Sequence, residues 1–222
     1  MTRQIGIFGA AGFGREVAEI LQRQLAAQGR TARMVFVERS AGDSVNGLAV
    51  VTEAAFLADP APRDFVVAIA DGAIRKRLFE AALASGAQAF DVRATSAELS
   101  PSAQMGAGYV LCGHSSVSAN AVVGRGFHLN VSCYLAHDCR VGDFVTFGPN
   151  VVCAGNVVIE DGAYIGGGAL IRQGRPGAPV VIGAGAVVGM GAVVLSSVAA
   201  GATVVGNPAK NLAAKNLSRG EK

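Results

Sequence analysis

Tryptophan is absent from this sequence, and aromatic residues make up only 6% of it. A core filled mainly with large rings is thereby excluded, and a narrow interior lined by small and branched side chains is favoured. Charge is also scarce: 16% of residues are Asp, Glu, Lys or Arg, with a formal net charge of +3. That leaves no basic stripe of the kind nucleic-acid binding needs, so no nucleic-acid partner is expected. No C-x-x-C pair occurs. Cys112, Cys133, Cys139 and Cys153 read as buried thiols in a reducing cytoplasm, not as disulfides. A secretory leader is not visible either, because Met1-Thr2-Arg3-Gln4 runs directly into a strand-like segment. Between Arg175 and Lys210 no charged residue occurs at all, and a hydropathy window could mistake the stretch for a membrane span. Its glycines Gly183, Gly189 and Gly201 sit at multiples of six, a β-coil pattern that suits a lipid-facing helix poorly, so no span is expected.

What the chain does have is a period. From Leu99 an apolar residue recurs at every sixth position: Met105, Leu111, Val117, Val123, Leu129, Leu135, Val141, Phe147, Cys153, Ile159, Ile165 and Ile171. After a break the beat resumes at Ile182, Val188 and Val194. The next position is often Gly, as at Gly106, Gly124, Gly142, Gly148 and Gly166, and the position four along is mostly small or branched. A period of six fits neither a helix nor a lone strand. It fits a prism of short parallel strands, one hexapeptide per face and three per coil, with one side chain per face pointing to the axis. The expectation is an all-β left-handed parallel β-helix of hexapeptide repeats over residues 94–210, with a C-terminal tail at 211–222.

Residues 1–93 differ in kind. Gln4–Phe8 reads as a buried strand, Gly9–Gly14 as a glycine loop, and Arg15–Leu25 as a helix. Strands follow at Met34–Val37, Leu48–Val51, Asp64–Ile69 and Ala87–Val92, with helices at Glu53–Ala58 and Ala73–Ser85. This alternation predicts an α/β domain on a small parallel sheet, whose ligands sit outside the strand carboxyl ends. There the glycine loop, Glu38-Arg39 and Ala70-Asp71 line one edge. The loop spacing is G-x-x-G-x-G and not the dinucleotide G-x-G-x-x-G, so it is either a tight strand-to-helix turn or a phosphate site.

Acid–base chemistry has few candidates, because the chain holds only His114, His128 and His137. His137 precedes Asp138, and a carboxylate beside a histidine can orient its ring as a general base, although such a pair is also common on plain surfaces. A three-histidine zinc site would need all three rings within about 2.1 Å of the metal. Their spacings put them at different phases around a prism, so no metal is expected.

Taken together, these segments resemble the bacterial sugar acetyltransferases that join a small Rossmann-like domain to a left-handed β-helix. That group includes amino-sugar N-acetyltransferases of glycan biosynthesis and sialic acid O-acetyltransferases. The resemblance spans about Ile5 to Lys210. It is carried by Gly9-Ala10-Ala11-Gly12-Phe13-Gly14, Val67–Asp71 with Arg75, Ser100–Ala103, Leu129–Ser132, Ala136-His137-Asp138-Cys139, Ala154–Val157 and Gly206-Asn207-Pro208-Ala209-Lys210. It implies an acetyl-CoA-dependent N-acetyltransferase of a nucleotide-activated amino sugar, of the 4-amino-4,6-dideoxyhexose type, working as a cytoplasmic homotrimer with sites between subunits. O-acetylation of a sugar, or a non-catalytic β-helical scaffold, are the alternatives. His137 falls on the family's base, Asp138 on its acidic support, and Gly155 on the glycine whose N–H faces the acetyl carbonyl. Gly9, Gly12, Phe13, Gly14, Glu38, Arg39, Ala70 and Asp71 fall on the nucleotide-sugar edge. Thr146, Gly155, Gly167, Arg172, Arg175, Asn207, Pro208 and Lys210 are the residues expected at acetyl-CoA. The chain departs from the pattern at Phe13 and Thr146, where many or some members carry His, at Ala94 for the hinge His, and in the long turn Arg172–Pro179.

Overall fold

In the computed structural model, residues 3–212 are described, and the rest of the expected C-terminal tail lies outside them. The N-terminal elements run β1 (Gln4–Phe8), α1 (Gly12–Ala27), β2 (Arg33–Glu38), β3 (Gly42–Val45), β4 (Leu48–Thr52), α2 (Glu53–Ala58), β5 (Arg63–Val67), α3 (Gly72–Ala84) and β6 (Gln88–Ala89). β1 and β5 are buried almost throughout, as continuous apolar strands are when helices cover both sheet faces. The sheet order is β3-β4-β2-β1-β5-β6. α1 buries Val17, Ile20, Leu21 and Leu25 at helical spacing, and α3 buries Arg75, Leu78, Phe79 and Ala82.

Three details depart from the expectation. β3 is an additional strand, joined antiparallel to β4 through Asn46 and Gly47 at φ 48° and 79°, the left-handed pair that a two-residue hairpin requires. The sheet is therefore mixed at one edge. The strand expected over Ala87–Val92 is divided: Gln88–Ala89 pairs with β5, while Val92–Arg93 pairs with Val110–Leu111 of the repeat region. α1 begins at Gly12, sooner than its apolar periodicity indicates, because its first turn takes in Gly12-Phe13-Gly14 of the glycine loop.

The repeat region is a left-handed β-helix of three parallel sheets. Face one carries Val110, His128, Thr146 and Tyr164 in register; face two carries Ser116, Tyr134, Val152 and Leu170; face three carries Val122, Arg140 and Val158. Stacked partners are 18 residues apart, as between Ser96 and His114. The sixth-position residues from Leu99 to Val194 all lie in the axial core or pack against it. Where the beat breaks, one coil is longer, with Arg172 meeting Leu195 at 23 residues, and the last is shorter, with Val181 meeting Ser197 at 16. All four cysteines are buried free thiols. No described helix is long and apolar enough to cross a membrane.

The two parts meet along the corner between faces three and one. There Gly108, Gly126, Phe144 and Gly162 are stacked, all with positive φ. α3 presses on this column closely: a Cβ on Gly72 would stand 2.8 Å from the Phe144 carbonyl oxygen, and one on Gly108 would stand 2.4 Å from the Phe79 ring. The rings of Phe79 and Phe144 meet edge to face at 5.5 Å. Arg75 is wholly buried here and donates to the carbonyls of Ile69, Ala70, Gly126 and Phe144 and to the Thr146 hydroxyl. Burial lowers its pKa to about 9, against the opposing pull of the Asp71 carboxylate.

The axial core predicts its own sensitivity. Phe147 is fully buried and meets Phe127 edge to face at 5.4 Å. Phe147→Ala should cost about 3–5 kcal/mol in urea unfolding, since the stacked coils on either side cannot collapse into the cavity. Met190→Ala, at an 82% exposed position, should stay within about 0.5 kcal/mol. Equal effects would contradict the inward assignment.

Candidate active site

Each corner of the prism needs a residue in the left-handed region, and Asn and Asp tolerate it best among side-chain-bearing residues. At the corner between faces two and three these are Asn120, Asp138 and Asn156, at φ 58°, 57° and 56°. Asp138 therefore occupies a turn position, and His137 beside it stands over the next coil. A Cβ on Gly155 would lie 2.6 Å from the His137 ring, so the imidazole rests where only glycine leaves room. His137 Nδ1 lies 2.7 Å from Asp138 Oδ2, and Asn120 Nδ2 donates to the other carboxylate oxygen at 3.1 Å. An ionised carboxylate only accepts, so Nδ1 carries a hydrogen, and in the neutral ring Nε2 then keeps its lone pair. The hydrogen bonds from His137 and then Asn120 hold the Asp138 carboxyl below the usual carboxylate range. Both side chains are about half exposed, His137 at 47% and Asp138 at 45%. Gly155 accepts from Gly174 through its carbonyl, while its N–H donates to no group among the described residues. A base with a free lone pair beside an unengaged backbone donor is equipped to deprotonate an attacking nucleophile and hold an oxyanion.

One coil further, Arg172 and Arg175 are exposed on the same edge, Arg172 following the Leu170–Ile171 strand of face two. The enlarged turn between them and Pro179 is closed by reciprocal backbone bonds of Arg175 and Ala178. Gly206–Ala209 folds back along face two, with Gly206 and Ala209 bracketing Val193, and leaves Asn207, Pro208 and Lys210 exposed. Thr146 and Gly167 are elsewhere: Thr146 is buried on face one and Gly167 lies at the corner between faces one and two. In a triangular prism the His137 corner is opposite face one, so a single chain does not bring Thr146 to His137.

The three loops at the carboxyl ends of β1, β2 and β5 do share one edge, since β2 and β5 flank β1 in parallel. Several of the expected residues are engaged within the protein. Glu38 accepts from Ala10 N–H at 2.6 Å and Asp71 caps α3 through Ile74 N–H. Ala70 O accepts from Arg75 and from Thr146. Gly14 lacks space for any side chain, a Cβ falling 1.8 Å from Gly9 O, whereas Gly12 faces open space. Arg39 is exposed. The N-terminus of α1 has no side-chain cap, which leaves its first amides available to an anion.

Phe13 packs at 5.1 Å on the ring of His128, and both line a cavity of about 170 Å³ with Glu16, Ala70, Asn130, Thr146 and Tyr164. His128 is fully buried and bonds through Nε2 to Val67 O at 2.9 Å. Burial, and next the charge of Arg75, hold it far below its ordinary pKa, so it is neutral. His114, His128 and His137 thus occupy a corner, a face and another corner. Among the described residues no three His, Cys, Asp or Glu side chains gather to hold a metal ion. Sequence reasoning missed Asn120 as the second holder of Asp138, though the 18-residue register could have found it. It also missed what Arg75 does.

The sequence profile described as the PglD N-terminal domain matches residues 4–82. The chain is 45% identical over 210 residues to the GDP-perosamine N-acetyltransferase of Escherichia coli O157:H7, covering 93% of this chain and 95% of that one. Among solved structures it is similar to WeeI from Acinetobacter baumannii AYE, at 41% identity and a TM-score of 0.90 over 95% of this chain and 100% of the other. It is also similar to the acetyltransferase domain of PglB from Neisseria gonorrhoeae FA1090 in complex with acetyl coenzyme A. There the identity is 33% and the TM-score 0.86, over 96% of this chain and 100% of the other.

The Asp138 environment is open to titration. Asn120→Ala removes one donor to the carboxylate, so the Asp138 pKa should move up toward the ordinary carboxylate value in a carboxyl NMR titration. A pKa that stays in place would contradict the bond from the coil above.

Proposed function

This chain belongs to the family of nucleotide-sugar N-acetyltransferases in which the GDP-perosamine enzyme is its 45% identical relative, and from that membership we propose how its own residues carry out the reaction. It is an acetyl-CoA-dependent N-acetyltransferase of a nucleotide-activated amino sugar. The substrate we assign is GDP-perosamine, a 4-amino-4,6-dideoxyhexose on GDP, because the relative's name gives it. His137 Nε2 takes a proton from the sugar amine as its nitrogen attacks the thioester carbonyl. Asp138 holds the ring in that tautomer and favours the imidazolium that forms. The Gly155 N–H donates to the oxyanion of the tetrahedral intermediate. Collapse expels the coenzyme A thiolate, which takes the proton from His137, leaving the N-acetylated sugar and free thiol. The observation that carries this reading is the His137 ring seated on Gly155 with Nδ1 tied to Asp138. That arrangement speaks against a scaffold, and the relative's N-acetyl chemistry sets O-acetylation aside.

The diphosphate of the sugar nucleotide is placed at the uncapped start of α1, beside Gly9, Gly12, Phe13 and Gly14, with Glu38, Arg39, Ala70 and Asp71 along the same edge. Coenzyme A is placed along the His137 corner, past Gly155 to Arg172, Arg175, Asn207, Pro208 and Lys210. Arginine forks suit its phosphates. The sugar edge packs on face one and the acetyl edge is the opposite corner, so each site needs two copies, and a homotrimer closes the ring. Face two supports this with an exposed apolar file, Tyr134, Val152 and Leu170 at 40%, 39% and 45%, which a neighbouring copy would cover. Gly167 would then approach acetyl-CoA from that neighbour. The chain is assigned to the cytoplasm, where acetyl-CoA and nucleotide sugars are made and its free thiols stay reduced.

With GDP-perosamine and acetyl-CoA the protein should release free thiol, and His137→Ala should lower kcat by roughly 100-fold or more while acetyl-CoA binding persists. A variant with wild-type kcat would place the base elsewhere. Light scattering should give three times the 22.4 kDa of the chain. An active monomer would contradict the shared site.

A further inference from the structure

The family resemblance puts Thr146 at acetyl-CoA, yet its hydroxyl is already engaged within its own chain. It donates to Ala70 O at 2.8 Å and accepts from Arg75 Nη2 at 2.9 Å. The same Arg75 fork donates to Ile69 O and to Ala70 O at 3.0 Å, and its remaining donors reach Gly126 O at 2.8 Å and Phe144 O at 2.6 Å on the β-helix corner. One guanidinium and one hydroxyl therefore join two backbone segments. The first is the turn that leaves β5, where the carbonyls of Ile69 and Ala70 face inward just ahead of the α3 cap Asp71. The second is the coil carrying Phe144–Thr146.

We propose that Arg75 and Thr146 form a latch that fixes the Ile69–Asp71 turn on the β-helix, and that they are positioning residues for the nucleotide sugar and not contacts of acetyl-CoA. The proposal rests on the functional reading above for its choice of substrate. Stability alone does not account for the arrangement. The Phe79–Phe144 contact and the close approach of Gly72 already dock α3, whereas the polar cluster acts on a turn that ends at the open edge of the sheet. Ala70 is exposed on its other side and lines the cavity under Phe13. Holding its carbonyl inward from two directions sets where that wall stands. Threonine is short enough to reach Ala70 O from within face one, and a hydroxyl is able to donate and accept at once.

Arg75→Met leaves several buried carbonyls without donors and so threatens folding itself, which makes Thr146→Val the deciding variant. It keeps the branched shape and removes both bonds. In steady-state thiol-release kinetics, KM for GDP-perosamine should rise roughly five- to tenfold, the effect of about one to two buried hydrogen bonds, with KM for acetyl-CoA unmoved. Thr146→Ser should restore the sugar KM. Amide exchange should speed up at Ile74 and Arg75, whose N–H groups bond to Asp71 at the end of the turn, while Val152 and Ala154 keep their protection. A rise in the acetyl-CoA KM with the sugar KM unchanged would hand Thr146 to the thioester and overturn the latch. Unchanged KM values for both substrates would overturn it as well. If the wild-type protein releases no thiol from GDP-perosamine, the substrate assignment fails on its own, and unaltered exchange at Ile74 and Arg75 in Thr146→Val then decides against the latch without any activity.

Discussion

Residues eighteen positions apart lie on top of one another in the β-helix, one strand spacing of about 4.8 Å apart. Every feature of the proposed chemistry depends on that stacking. It puts Gly155 beneath His137, Asn120 against Asp138, and the arginine turn one coil further along the same edge. The proposed catalytic pair is not held by a packed pocket, since both side chains are half exposed. It is held because a rigid stack fixes the backbone beneath it, which is how an open corner can supply an oriented base. The left-handed turn at Asp138 belongs to the same device. A corner residue must adopt positive φ, aspartate tolerates it, and the carboxylate then stands next to the ring that it orients.

The seam between the two parts obeys a different logic. Its centre is a cation with no carboxylate bonded to it, satisfied by backbone carbonyls and one hydroxyl. Breaking such a site strands several desolvated groups at once. The small residues of the corner column let α3 come close, and Phe144, the one corner residue there with a large side chain, meets Phe79. The neutral His128 lies near this cation, and at the outer side of the seam Arg125, paired with Asp143, stacks over the rings of Phe79 and Phe144.

Much of this was legible in the amino-acid order. The sixth-position file from Leu99 to Val194 marks the inward residues because each face admits one side chain to the axis, and the break after Ile171 marks the long coil. His137-Asp138 was visible as a pair, but the resemblance, not the spacing, pointed to its role. Other things were hidden for physical reasons. The β3 hairpin is a polar edge with no apolar alternation, so only Asn46-Gly47 announces it. Strand Val92–Arg93 belongs to the β-helix because its partner is 18 residues on, a pairing that local propensity does not show. Thr146 aligned with an acetyl-side position, yet its hydroxyl turns to Ala70, which no linear pattern records.

The central claim is that one copy's His137 corner works on a sugar held by the nucleotide-sugar edge of another. A crystal structure with coenzyme A and GDP-perosamine bound tests it most directly. The account predicts the sugar amine within hydrogen-bonding distance of His137 Nε2 of one subunit and the diphosphate at the α1 N-terminus of its neighbour. An amine lying away from every His137, or both contacts made by a single subunit, would contradict it.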